Sequence, residues 1–154
     1  MENNTPMDRN LNLWLLIRDV RDNMMKLRRE ELSSQGVTPQ QSHVLGVIYT
    51  LGEDVTLKQI SKNLSRKIHT ISSQITRMEK RGLLNKIRVD SGTNRIGFEI
   101  TEKGLEVYNF SRKREAMYKL MSVITEEERQ TLVTCLNKLL NQSEDIIQEL
   151  QKNH

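Results

Sequence analysis

Apolar residues recur at steps of three and four along most of this 154-residue chain, the spacing that gathers them on one face of a helix at about 3.6 residues per turn. The first run predicts a helix from Pro6 to about Leu32, with Leu16, Ile17, Val20, Met24 and Leu27 facing inward, ending in the loop SSQGV. A second helix spans Pro39 to Leu51 on Val44, Leu45, Val47, Ile48 and Leu51, and the turn GEDV follows. A third, Leu57 to Leu64, is about two turns long, too short to persist unless its neighbours hold it. The stretch SRKIHTISSQITRMEKRGLL, residues 65–84, forms a fourth helix with Ile68, Ile71, Ile75 and Met78 as core, and Gly82 caps its end.

After Gly82 the period changes. NKIRV, the turn cluster DSGTN and RIGFEI predict a two-stranded hairpin, with Ile87 and Val89 matched to Ile96, Phe98 and Ile100 on one face and Lys86, Arg88 and Arg95 on the other. Helical spacing resumes behind Thr101, through Leu105, Tyr108, Met117, Leu120 and Met121, where RKRE (residues 112–115) reads as a solvated stretch of one long helix. A last helix follows Thr125 on Leu132, Cys135, Leu136, Leu139, Leu140, Ile146, Ile147 and Leu150, with three glutamates in its first turn suiting the macrodipole. Local signals agree. Thr5-Pro6 and Thr38-Pro39 have the form of an N-cap followed by N1, and Thr38/Gln41, Thr56/Gln59 and Thr125/Glu128 have capping-box spacing.

The outward face of the fourth helix carries His69, Ser73, Thr76 and Lys80, flanked by Arg66, Thr70 and Arg77. Such a face is most often simply solvated, but the charge distribution changes that picture. Between Leu57 and Arg95 ten bases stand against two acids, a net of +8 within a chain of net charge +4, and each flank is −2. A basic centre between mildly acidic arms points to a polyanionic partner for the centre alone. With 36% hydrophobic and 29% charged residues the composition is that of a folded helical protein rather than a disordered one.

Other chemistries find little support. The run LWLLI falls far short of the roughly 18 residues needed to span a bilayer, and MENNTPMDRN has no secretory pattern, so the expected location is the cytoplasm, with no membrane partner. One cysteine, Cys135, excludes an internal disulfide, and His43, His69 and His154 are not spaced for zinc, so no metal or cofactor is expected. Cys135 reads as a small buried hydrophobe on its helix stripe, with a redox-sensing thiol as the alternative. No phosphate-cradling glycine loop, nucleophile elbow or HExxH motif occurs, and the protein is expected not to be an enzyme.

Three short helices followed by a basic hairpin is the order of a winged helix-turn-helix, whose third helix enters the DNA major groove. The expected fold is mainly α with a small β-hairpin wing. Arg77 can donate to guanine O6 and N7, Gln74 can pair with adenine, Ser73 and Thr70 suit bases or phosphates, and His69 a base edge. Arg66, Lys67 and Lys80 would hold phosphates. Arg88, Asn94 and Arg95 belong to the wing, where Arg95 could reach the minor groove. The terminal helices have more apolar surface than a middle of about sixty residues can cover, which implies a second copy in a symmetric dimer; one closed helical bundle is the alternative.

The segments TISSQITRMEKRGLL, NKIRVDSGTNRIGFEITEKG and TPQQSHVLGVI resemble the recognition helix, wing and second helix of the MarR family, the multiple antibiotic resistance type of bacterial transcription regulator. The likeness is close over residues 38–104 and positional in the flanks. It implies one domain over residues 1–154, with 1–37 and 101–154 as dimerisation helices and 38–100 as the DNA-binding lobe. It further implies a homodimer on a pseudo-palindromic operator in double-stranded DNA, repressing nearby genes, and a small aromatic or anionic effector entering a cleft between arms and lobe. Trp14, Arg18 and His43 are the candidates to line that cleft, although His43, near the apolar run of its helix, also reads as a structural histidine. The family roles fall on Thr70, Ser73, Gln74, Arg77 and Arg95. Two positions depart from the family pattern: Asn94 precedes Arg95 where an Asp-Xaa-Arg acid would brace the arginine, and Lys67 stands where a capping serine is usual. The competing class is a helical module that docks an acidic protein through the same basic block.

Overall fold

The computed structural model describes residues 6–52, 54–89 and 95–153, and of residues 6 and 7 the backbone only. Thr5, the turn cluster DSGTN with Asn94, and His154 lie outside the described residues. The order is α1 (Pro6–Ser33), α2 (Pro39–Leu51), α3 (Leu57–Asn63), α4 (Ile68–Lys80), β1 (Leu84–Arg88), β2 (Ile96–Ile100), α5 (Glu102–Lys113), α6 (Glu115–Met121) and α7 (Glu126–Lys152). These residues form two compact units, Met1–Met117 and Tyr118–His154. No described helix is long and apolar enough to cross a membrane.

In the first unit the helix starts are built as the sequence implies. Thr38 Oγ1 accepts the Gln41 amide (3.2 Å) while Gln41 Oε1 accepts the Thr38 amide (3.1 Å), and Thr56 and Gln59 repeat the exchange. Each box satisfies two amides that a helix start leaves without partners. The core gathers Leu32 of α1, Val44, Leu45 and Ile48 of α2, Ile60 of α3, Ile71, Ile75 and Met78 of α4, then Leu83, Leu84, Phe98 and Val107. α5 lies directly on the start of β1, since a Cβ on Gly104 would sit 1.9 Å from the Leu83 carbonyl oxygen. Only glycine permits that approach. Thr101 Oγ1 ties the same corner, accepting from the Gly104 amide (3.0 Å) and donating to the Gly82 carbonyl (2.6 Å).

Several expectations need correction. β1 and β2 are antiparallel with Leu84 opposite Ile100, Lys86 opposite Phe98, Arg88 opposite Ile96 and Ile87 opposite Gly97. Ile87 therefore does not share a face with Phe98, because a shift of one residue exchanges the two faces. Leu84, fully buried, sets the register instead. Ile68 is 50% exposed rather than core, since it opens α4 and has no preceding turn to pack under. Leu51 is exposed at the end of α2, and Leu16, Ile17 and Val20 of α1 are exposed where Met24 and Leu27 are partly covered. The apolar face of α1 is thus covered only toward its C-terminal end.

The expected long helix behind Thr101 is also broken. Arg114 takes a left-handed conformation (φ 51°, ψ 39°) between α5 and α6, a position that costs a non-glycine residue about 1–2 kcal/mol. Side chains of α1 hold both sides of the break. Arg28 Nη2 donates to the Ser111 carbonyl (2.6 Å), Glu31 Oε1 accepts the Ala116 amide (2.9 Å), and the two side chains pair with each other at 2.5 Å. Burial raises the Glu31 pKa, but the Ala116 amide and the Arg28 guanidinium outweigh it and leave the group below its ordinary 4.5.

In the second unit, Thr125 and Glu128 form the third capping box, and Arg129 donates to the Met121 carbonyl (3.1 Å). α7 keeps its apolar stripe in the open: Leu132, Leu136, Leu139, Leu140, Ile146, Ile147 and Leu150 are all exposed. Cys135, expected to be buried, is exposed with them on the same stripe of α7.

Candidate nucleic-acid interface

The recognition-type helix begins from a fixed turn. Buried Ser61 donates its hydroxyl to the Arg66 carbonyl (2.5 Å) and accepts the Arg66 amide on its own carbonyl (3.0 Å), while Ser65 turns the chain at φ 49°. Lys67 is the N-cap and offers no side-chain bond, so the first amides of α4 bond only to its carbonyl, from Thr70 (3.0 Å) and Ile71 (3.2 Å). Ile71, Ile75 and Met78 then hold the helix to the core.

That anchoring leaves His69, Thr70, Ser73, Thr76, Arg77 and Lys80 exposed along the outer face, with Arg66 and Lys67 at its start. Among the described residues no carboxylate pairs with Arg66, Lys67, Arg77, Lys80 or Arg88. A row of bases with no acid beside it projects its full charge. Not every base of the block is so placed. Lys86 is bound to Glu79 at 2.6 Å, and Arg81 donates to the carbonyls of Gly36 and Gln35, closing the loop between α1 and α2. Spacing along the chain could not reveal either, since both partners lie across a turn or in a distant loop.

Arg88 stands exposed on β1, and Arg95 is exposed at the entry to β2. With the family's bracing acid absent from the sequence, Arg95 is met by a backbone group: its Nη2 donates to the Asp54 carbonyl in the turn between α2 and α3, at 3.3 Å. Gln74 differs from its neighbours. It is only partly exposed, and its Oε1 is buried without a hydrogen-bond partner.

Beside the start of this helix opens a cavity of about 660 Å³ whose walls include Met25, His43, Leu64, Arg66, Lys67, Thr70, Ile71 and Gln74. A second, of about 350 Å³, is lined by Arg28, His43, Tyr108, Ser111, Arg112 and Arg114 among others. Tyr108 stacks on Tyr49 (4.4 Å between centroids) with Arg112 5.8 Å from its ring centre. His43 borders both cavities. Partial burial lowers its pKa first, and the charges of Arg28, Arg114 and Arg66 lower it further. Trp14 and Arg18 join neither cavity: Trp14 is 73% exposed on α1, and Arg18 pairs with Asp19 at 2.8 Å. The three cleft candidates are therefore not brought together. The arginines that do gather near His43 come from α1, from the turn before α4, from the end of α5 and from the break after it, and Arg112 and Arg114 had the pattern of solvated charges.

Residues 35–95 match the model of the MarR family. MepR, a transcription regulator of the Staphylococcus aureus multidrug efflux pump MepA, is 25% identical with a TM-score of 0.66, over 82% of this chain and 95% of that one. The S. aureus MepR–DNA complex aligns at 24% identity and TM-score 0.67, over 92% and 99%. The organohalide sensing RdhR transcriptional regulator in its ligand free form aligns at 22% identity and TM-score 0.73, over 92% and 87%. The last two likenesses show a shared fold. No curated protein matches the chain.

Proposed function

We propose that this chain is a member of the MarR family, whose model matches residues 35–95, and that it acts as a homodimeric repressor of nearby genes. It binds a pseudo-palindromic operator and is released by a small ligand. The coarser reading, a DNA-binding transcription regulator of winged helix-turn-helix fold, is supported by the match to the family model and by the 25% identity to MepR, a transcription regulator. The observation that carries the finer reading is the outer face of α4, where His69, Thr70, Ser73, Arg77 and Lys80 stand exposed, with no described carboxylate paired to Arg77 or Lys80, on a helix fixed to the core by Ile71, Ile75 and Met78.

In this reading Arg77, Gln74, Ser73, Thr70 and His69 read base edges, and Arg66, Lys67 and Lys80 hold phosphates. Arg88 and Arg95 take the wing's share, with Asn94 beside them in the sequence. Residues 1–37 and 101–154 supply the dimer contacts through the exposed apolar faces of α1 and α7, and 38–100 form the DNA-binding lobe. The effector enters next to His43. Arg66 and Lys67 there favour an anion, and the apolar walls of Met25, Leu64 and Ile71 favour a small aromatic body. The RdhR regulator has been captured with 2,4-dichlorophenol bound, which supports a ligand of that size.

Selection of bound duplexes from random DNA tests the reading. The expected result is one enriched sequence with two inverted half-sites about 10 base pairs apart, centre to centre. Its affinity should fall about 10³- to 10⁵-fold between 50 and 200 mM salt if roughly six to ten phosphates are neutralised. Failure to enrich any sequence would contradict it.

A further inference from the structure

We propose that Gln74 is a two-position side chain on the border of α4, its carboxamide oxygen buried without a partner in the free protein and drawn out to a base edge on the operator. The inference rests on the DNA-binding reading above and specifies how that side chain reads DNA.

At about 100° per residue, Gln74 lies about 60° around the helix from Ile71, which is core, and about 60° from Arg77, which faces out. It stands on the border between the two faces. Its side chain lines the 660 Å³ cavity, and its Oε1 is the one buried side-chain oxygen or nitrogen among the described residues that has no partner. Buried amides in folded proteins are almost always paired, and an unpaired one is destabilising. The packing role needs no amide, since a methionine of similar length would line the same wall without that penalty. The carboxamide does suit adenine, whose N6 amino group donates and whose N7 accepts, so both halves of the side chain are satisfied only outside the cavity.

A border position lets the side chain leave with little movement of the helix, because Ile71, Ile75 and Met78 hold the backbone in place.

Gln74→Met tests this. The variant should melt about 2–8 °C higher, because the unpaired oxygen is gone. It should also lose discrimination at one base position per half-site by on the order of 10- to 100-fold. A side chain already displayed to solvent would lose discrimination with no gain in melting temperature; a plain wall residue would leave discrimination intact. Either result overturns the proposal. A second readout does not depend on the variant's stability. In the ¹H–¹⁵N spectrum of the wild-type protein, the side-chain amide pair that is missing from Gln74→Met should shift when the selected duplex is added. An amide pair that does not move contradicts the inference. Wild-type protein is assayed first: if it shows no sequence preference, the DNA-binding reading itself fails, whereas an effect missing only in the variant and its amide signal removes the Gln74 mechanism alone.

Discussion

In α4 and α7 apolar residues recur at the same helical spacing, yet their fates differ. Ile71, Ile75 and Met78 of α4 are no more than 3% exposed, whereas Leu132, Leu136 and Leu139 of α7 are 42–49% exposed. The first stripe is covered by its own chain, from α2, α3 and the start of the wing. The second stands exposed among the described residues, and in the proposed dimer a second copy covers it. Helical periodicity announces that a face will be buried; it does not say against what. The same ambiguity runs along α1, where Leu16 and Val20 are open and Leu32 is completely enclosed.

The contrast can be broken by substitutions matched across the two stripes. Leu136→Asp places a carboxylate in the face assigned to the partner copy, where an unpaired charge costs about 3–5 kcal/mol. Sedimentation should show the dimer lost at micromolar concentration, with the lobe still folded; an unchanged dimer would mean that α7 is covered differently. Ile75→Ala removes packing from the closed core, at a cost of about 2–5 kcal/mol. Its loss of stability in denaturant should not vary with protein concentration, and a strong concentration dependence would erase the distinction between the stripes.

The outer face of α4 is sharpened by a smaller effect. Arg77→Ala should cost about 1–3 kcal/mol and relax preference at one position per half-site. Equal weakening on every duplex would make Arg77 a phosphate contact.

At the break behind α5, Glu31→Gln should cost about 1–2 kcal/mol through weaker bonds to Ala116 and Arg28. The pH dependence has a definite sign. Glu31 lies below its ordinary 4.5, so its stabilisation is present above that value and is lost as pH falls through the folded-state pKa. The variant should remove that part of the acid slope, and an identical slope would show that the pair does not hold the break.

His43 gives the smallest effect. Its pKa is depressed by burial and by Arg28, Arg114 and Arg66, so its contribution is complete above about 6.5 and declines as pH drops toward the folded-state value. An anion bound nearby should raise the His43 pKa in an NMR titration. No shift with a ligand that releases DNA would place the effector elsewhere.

The parts of the molecule legible in the sequence were those set by neighbours along the chain. Capping pairs such as Thr38 and Gln41 are three residues apart, and α2 runs from Pro39 to Leu51 as its pattern implies. What stayed hidden depends on distant partners. Nothing in SRKRE marks a helix break, because its cause is Arg28 and Glu31, more than eighty residues earlier. The strand register turned on Leu84, which the alternation starting at Asn85 left out. For the interface, the outward residues of α4 follow from angle alone, while the inward amide of Gln74 and the Asp54 carbonyl beside Arg95 follow only from three-dimensional packing.

Hydroxyl-radical footprinting on the selected duplex tests most directly whether one basic face per subunit, doubled by twofold pairing, grips DNA. The account predicts two protected segments related by a dyad and offset by about one helical turn, with flanking protection that weakens in Arg95→Ala. A single protected patch without symmetry, or uniform protection along the duplex, would contradict it.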